Sequence, residues 1–358
     1  MRRQANDVAE RAPDQRREPD GSRGHPPFPF IVARGRSGTT LLRAMFDSHP
    51  QMAVPPESHF IVTMGRRRKR YELRDGLAVD RFVDDLAAHY GFRRWAIDGE
   101  SVRARLIEGG AATYAQAIRA VFALYAERHG KRRYAEKTPM NVMHIPFLAR
   151  VFPEARFIHL IRDGRDVALS YLDADFGVES VGEAAIYWRR FVRKGRRDGR
   201  QLGPRYREVR YEDLLAEPEA VLRSLCAFVE IPYDQTMLTY HRQADRILET
   251  TSHREHHERL HLPPTRGLRD WRTQMDGESL RLFEALAGDL VDQLGYERGA
   301  GSIPRSVAIK ARTVHLAILA RRLRSRVAKG VRGLRPTPRH RSRPVPAASR
   351  SLSSRRSP

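Results

Sequence analysis

Apolar residues follow two kinds of pattern along this chain. Three short strand-like runs, Phe28 to Ala33, Phe157 to Ile161 and Arg205 to Arg210, lie far apart, with Arg133 to Glu136 as a weaker fourth. Each reads as a β-strand. Between them, Ala117, Ile118, Val121, Leu124 and Tyr125 recur at helical spacing within Tyr114 to Arg128. Glu183 to Arg193, Ala220 to Val229 and Ser279 to Leu294 repeat that period, so each predicts a helix covering one face of a sheet. Strands separated by helices predict an α/β fold, a parallel sheet with helices on both faces.

The pattern fails at both ends. Residues 1–27 mix prolines, glycines and charges without apolar periodicity and read as a disordered leader. A globular domain is expected over residues 28–300. Val307, Ala311, Val314, Ile318 and Val327 then alternate with arginines, which predicts a basic amphipathic helix over 301–334. Residues 335–358, rich in Arg, Ser and Pro, read as a disordered tail. Within the domain, Met64 to Asp98 reads as an insertion beside the first βα unit, with Arg66 to Arg70 preceding an apolar-spaced run from Leu77 to Tyr90. That segment either caps a pocket or is a solvated, charged helix start.

Composition and charge narrow the classes. With 358 residues, 41% hydrophobic, the chain is mostly globular. Cys226 is its single cysteine, which excludes an intramolecular disulfide and a Cys-rich zinc module. No apolar run nears the roughly 20 residues that cross a bilayer. The start, with Asp7, Glu10, Pro13 and Asp14, does not resemble a secretion signal, so a cytoplasmic, reducing compartment is expected. The net charge of +23 is unevenly spread: residues 301–358 hold 16 Lys or Arg and no acid, whereas 28–300 hold 44 bases and 38 acids. High basicity is therefore a property of the tail, which suits an anionic membrane or a nucleic acid.

The first strand leads into Arg34-Gly35-Arg36-Ser37-Gly38-Thr39-Thr40-Leu41-Leu42, a glycine-containing turn that opens a helix. Backbone N–H groups and the positive end of the helix dipole make such a turn a phosphate cradle, with Arg36, Ser37, Thr39 and Thr40 as further donors. A nucleotide-hydrolysing P-loop has lysine directly after the second glycine; here Thr39 stands there. Further on, the strand Phe157 to Ile161 is followed by Arg162, with Ser170 eight residues later on the next helix. Both meet one anion only if the ligand lies along that helix. Strand ends of this kind are where open α/β sheets bind ligands.

The run from Arg36 to Pro50 resembles the 5′-phosphosulfate loop and following helix of PAPS-dependent sulfotransferases, closest to the tyrosylprotein sulfotransferases and the bacterial enzymes related to them. The resemblance covers about residues 28–298 and implies a P-loop-type sheet, PAPS as donor with PAP as product, and no metal. It implies that Arg36, Ser37, Gly38, Thr39 and Thr40 hold the 5′-phosphosulfate, that Arg162 and Ser170 bind the 3′-phosphate, and that Tyr211, in Tyr211-Glu-Asp-Leu214, lies close to the adenosine. It further implies Glu57 as general base, with His59 as a nearby alternative, and Lys137, in Lys137-Thr-Pro139, at the bridging oxygen of the phosphosulfate. Arg36 adds positive charge at the same place. Sulfuryl transfer to a hydroxyl or amine then needs leaving-group neutralisation, stabilisation of the moving group and a base. The acceptor stays open among protein tyrosine, glycan, lipid and small molecule.

Three rival readings remain beside this one. A small-molecule kinase or NTPase on the same scaffold would need Mg²⁺ and ATP. A non-catalytic binder would act on nucleic acid or an anionic surface through the tail, and a mixed case would hold an enzyme at the inner membrane face. His257-Glu-Arg-Leu-His261 also fits the H-E-x-x-H pattern of zinc peptidases, with His253 and His256 close by, but Pro263 and Pro264 stop any helix just past His261. Late in the chain, Arg266-Gly-Leu-Arg-Asp-Trp271 resembles a further family segment of ambiguous spacing, from which no residue role is carried over.

Overall fold

A computed structural model describes residues 24–173, 178–249, 258–264 and 269–333. The leader expected over 1–27, apart from its last four residues, and the tail expected over 335–358 lie outside the described residues. Eight strands form among those described: β1 (Phe28–Ala33), β2 (Met52–Ala53), β3 (Glu72–Leu73), β4 (Gly76–Leu77), β5 (Arg133–Tyr134), β6 (Glu136–Lys137), β7 (Ala155–Ile161) and β8 (Tyr206–Arg210). Four of them make the main sheet, in the order β6-β1-β7-β8, with every neighbour parallel.

Continuous burial explains the unbroken apolar run of β1, because a parallel strand with both faces covered has no solvent side. Phe28, Phe30 and Val32 enter one core, with Phe122, Phe152 and Phe157. Ile31 and Ala33 enter the opposite one, with Leu42, Phe46 and Ile158. The register Phe30↔Phe157 and Phe157↔Tyr206 carries this two-sided arrangement toward the β8 edge.

The weak fourth strand proves to serve two sheets in succession. Tyr134 pairs with Ala53 in the small β2-β5 sheet, and two residues later Glu136 pairs with Phe30 in the main sheet. The helix expected over Glu183 to Arg193 runs instead over Val181–Arg200. A Cβ on Gly195, in the polar second half of this helix, would lie 2.5 Å from the His159 ring, so the glycine allows the helix to press on β7. In the 64–98 segment a β3-β4 hairpin precedes the Val79–Ala88 helix. Four of the five basic side chains from Arg66 to Arg70 are exposed, and Arg68 and Arg70 face Glu72 and Asp85 at the edge of ion-pair range.

Because the sheet is parallel, its four carboxyl ends open on one edge. Ala33 hands over to Arg34, Lys137 to Thr138, Ile161 to Arg162 and Arg210 to Tyr211. A third core lies under the helices Gly164–Leu172, Val181–Arg200 and Gly277–Gln293. The Arg305–Gly333 helix joins that core through Val307, Ala311 and Ile318 rather than standing apart. No helix among the described residues is long and apolar enough to cross a membrane.

Arg165 ties this third core to the sheet edge. Its guanidinium has no solvent exposure, bonds Asp163 at 2.7 Å and Glu284 at 2.8 Å, and stacks 3.6 Å from the Trp271 ring. Glu284 also accepts from the Gly299 and Ala300 amides. Arg165→Met would leave buried Asp163 without its cation and Glu284 with only the longer Arg298 contact at 3.5 Å, and urea unfolding should show a loss of about 3–5 kcal/mol. A loss below about 1 kcal/mol would contradict this account.

Candidate active site

The turn after β1 brings the two candidate anion-binding motifs together. Arg36 takes a left-handed backbone (φ 65°) and its Nε donates to Ser170 Oγ at 3.0 Å. Arg162 Nη1 reaches the Arg36 carbonyl at 3.5 Å, the limit of a hydrogen bond. Gly38 has φ 89°, and a Cβ there would sit 2.4 Å from the Tyr211 ring, so only glycine lets the turn close against that tyrosine. Arg162 in turn lies 4.6 Å from the centre of the same ring. The Thr39–Ser48 helix starts directly after Gly38 with no side-chain cap, and Ser37, Thr39 and Thr40 are buried at its mouth.

Charge in this corner is poorly compensated. Burial, with Arg162 and Arg269 nearby, holds the Arg36 guanidinium below its ordinary value, although Tyr171 opposes the shift. Arg162 is 8% exposed, and its Nε is buried without a hydrogen-bond partner among the described residues. Its carboxylate contact, Asp166, is 3.6 Å away. Burial pushes Asp166 up to about 6, against the pull of Arg162. A buried guanidinium with an orphaned N–H beside an uncapped helix start fits a phosphate-bearing ligand.

A second cluster occupies the ends of β6 and the Val54 to His59 segment. Lys137, 2% exposed, donates to Glu57 Oε1 at 2.6 Å, and His59 Nε2 lies 3.2 Å from Glu57 Oε2. Burial alone would raise Glu57, but Lys137 and His59 outweigh it and hold the carboxyl well below the usual carboxylate range. Burial lowers Lys137, and Glu57 opposes this. His59 has φ 48° and stacks on Tyr90, which fixes the ring beside the carboxylate.

Beneath this pair sits Glu136, 1% exposed, on the opposite side of β6 from Lys137. It accepts from Ser58 Oγ at 2.9 Å, the Thr138 amide at 3.1 Å and Asn141 Nδ2 at 2.9 Å, as well as from the Thr138 hydroxyl. Burial raises its pKa, against those hydrogen bonds. Ser58 is the neighbour of Glu57 and Thr138 of Lys137, so one carboxylate sets the spacing of both side chains. Glu136→Gln should lower kcat roughly tenfold or more while leaving nucleotide affinity intact. Steady-state kinetics beside calorimetry separate the two. Equal loss of affinity and turnover would mean that the variant only disturbs the fold.

The family model described as "Sulfotransferase family" matches residues 27–235, more than half of the chain. The chain belongs to the sulfotransferase family. Protein-tyrosine sulfotransferase 1 of Danio rerio is 27% identical over 219 residues, covering 59% of this chain and 55% of that protein. Protein-tyrosine sulfotransferase A of Caenorhabditis elegans is 25% identical over 236 residues, covering 63% and 56%. The chain thus spans about half the length of these two curated relatives. Among solved structures, the sulfotransferase domain from the curacin biosynthetic pathway superimposes with a TM-score of 0.53 at 24% identity, covering 77% of this chain and 99% of that one. That likeness supports the α/β sulfotransferase architecture.

Against this family background, the sequence-predicted residues divide between the two clusters. Arg36, Gly38, Arg162, Ser170 and Tyr211 meet at the first, with Ser37, Thr39 and Thr40 on the same turn; Glu57 and Lys137 meet at the second. Sequence reasoning gave no site role to Glu136 or to Asp166. The alternation of side chains along a strand was the available signal for Glu136, since Lys137 must then point the other way. Of the late segment, Arg266 to Leu268 lie outside the described residues, while Arg269 pairs with Asp173 and Trp271 covers Arg165. His253, His256 and His257 also lie outside them, and Glu258–His261 forms a single 3₁₀ turn, with His261 3.7 Å from Asp245.

Proposed function

We propose that the protein transfers a sulfuryl group from PAPS to an acceptor hydroxyl by in-line displacement. The observation that carries this reading is the junction of the two anion cradles: Arg36 bonds Ser170 while Arg162 reaches the Arg36 backbone. One ligand with phosphates at both ends of an adenosine satisfies both. In this assignment Ser37 to Thr40 and Arg36 hold the 5′ end, Arg162 and Ser170 hold the 3′-phosphate, and Tyr211 flanks the adenosine.

PAPS supplies the sulfuryl group. The Glu57 carboxylate removes the acceptor's proton as the new O–S bond forms. Lys137 and Arg36 neutralise the phosphate oxygen as the old S–O bond breaks and its electrons stay with PAP. Lys137 therefore exchanges Glu57 for the donor's bridging oxygen when the donor binds. The naming of the relatives as protein-tyrosine sulfotransferases makes a phenolic hydroxyl the first acceptor to test.

Titration calorimetry with PAP, PAPS, ATP and ADP, each with and without Mg²⁺, tests the donor. The expected result is metal-free binding of PAP and PAPS with ATP far weaker. Binding of ATP that requires Mg²⁺, with no response to PAP, would overturn the reading in favour of a kinase.

A further inference from the structure

The Arg305–Gly333 helix carries two apolar faces where a docked surface helix needs one. Val307, Ala311, Val314 and Ile318 face the protein, at 5–9% exposure for all but the half-buried Val314. At 3.6 residues per turn these four fall within a sector of roughly 60°. Ile309, Leu316, Leu319 and Leu323 are instead 61%, 65%, 46% and 63% exposed. They fall within roughly 80° of one another, about 150° from the docked face. Isolated exposed leucines are unremarkable, but a four-residue aliphatic stripe along one helix is a surface waiting for an apolar partner.

The charges beside the stripe say what kind of partner. Arg305 and Arg312, both exposed, fall in the same sector, and exposed Arg324 lies about 60° beyond its edge, on the side away from Leu319. Lys310 and Arg321, on the flanks of the docked face, are already held by Glu278 and Glu183. Residues 301–358 contain no acid, and 334–358 alone add seven arginines. A second copy of this chain would bring these cations against their own like, in a protein of net charge +23. Single-stranded nucleic acid would gain from aromatic platforms, and the stripe has only aliphatic side chains. Aliphatic residues between arginines, on a helix fixed by its other face, suit the boundary between headgroups and acyl chains.

We infer that this helix is an interfacial membrane contact, in which Ile309, Leu316, Leu319 and Leu323 enter the acyl boundary of an anionic bilayer while Arg305, Arg312 and Arg324 meet its headgroups. The sheet edge that carries the two side-chain clusters is thereby held at a lipid surface in a fixed orientation, since the helix is packed on the core and not tethered to it by a linker. This inference is independent of the donor assignment.

Co-sedimentation of the full chain with vesicles tests it. The wild-type protein is expected to bind vesicles of phosphatidylcholine with added phosphatidylglycerol and to bind pure phosphatidylcholine much less. Leu316→Glu combined with Leu323→Glu should cut partitioning onto the anionic vesicles roughly tenfold or more. PAP affinity and the circular dichroism spectrum should be unchanged, because both residues are exposed. Wild-type protein that ignores anionic vesicles at low salt overturns the inference. So does a double variant that binds as well as wild type, which would assign binding to the tail's charge alone. A dimer in sedimentation velocity that the double substitution splits, without vesicle binding, would give the face to a second copy.

Discussion

Glu57→Gln is expected to lower kcat by a factor of about 10² to 10⁴ while PAP binds as before. Glutamine keeps the shape of the side chain and can still accept from Lys137, so the geometry of the 2.6 Å contact survives while the proton acceptor is lost. Replacing an ion pair by a neutral one beside a lysine that is 2% exposed should cost about 1.5–3 kcal/mol in urea unfolding. The pH profile gives a sharper test. With Lys137 and His59 outweighing burial, the Glu57 carboxyl in the free protein lies well below the usual carboxylate range. It is therefore already ionised wherever activity is measured, and kcat/KM should show no acid limb from it.

Donor binding changes that balance. In the proposed mechanism Lys137 turns to the donor, so Glu57 would lose its strongest stabilising charge and its pKa would rise, which would also make it a better base. The acid limb of kcat should accordingly appear at higher pH than any limb of kcat/KM. The stability sign runs the same way. A depressed carboxylate contributes in full above its unfolded pKa and loses that contribution only as pH falls through its folded value, so Glu57 gives no pH dependence of unfolding near neutrality. Turnover by Glu57→Gln within threefold of wild type would remove the base assignment and leave His59 as the group to test.

Arg162→Ala is expected to weaken PAP and PAPS roughly 10- to 100-fold, with the effect in KM for the donor and little in kcat. The guanidinium is 8% exposed, its Nε has no partner among the described residues, and its contact with Asp166 is long at 3.6 Å. Such a group has more to gain from a phosphate than from anything it now touches. Lysine should not restore affinity, because the flat guanidinium stacked 4.6 Å from the Tyr211 ring presents a fork that an ammonium cannot. Main-chain support stays in either variant, as Trp188 Nε1 donates to the Arg162 carbonyl at 3.0 Å. Calorimetry showing wild-type PAP affinity for Arg162→Ala would end the 3′-phosphate assignment.

The strands nearest the site were legible in the chain because a parallel strand buried on both faces leaves an apolar run, unbroken in Phe28 to Ala33 and broken only by His159 in Phe157 to Ile161. Motifs at their ends followed, since the turn and the helix start come directly after in sequence. Glu136 was not legible: its role depends on Ser58, Thr138 and Asn141 closing around it, and Ser58 is 78 residues away. The full length of the Val181–Arg200 helix was hidden for a related reason. Gly195 looks like a helix stop until His159, from another strand, fills the space where a side chain would be. The exposed stripe of the last helix is hidden in the sequence because Lys310 and Arg321 fall between its members there, although in space both lie on the flanks of the docked face.

Arg36, Lys137, Arg162 and Tyr211 arrive at one edge from four strands, so in the proposed binding mode lifting any single strand end would remove a ligand contact. Bound nucleotide therefore opposes every such opening at once, by about 2.7 kcal/mol when it is present at a hundredfold excess over its dissociation constant. Proteolysis that samples the opened population should then slow when the nucleotide is bound.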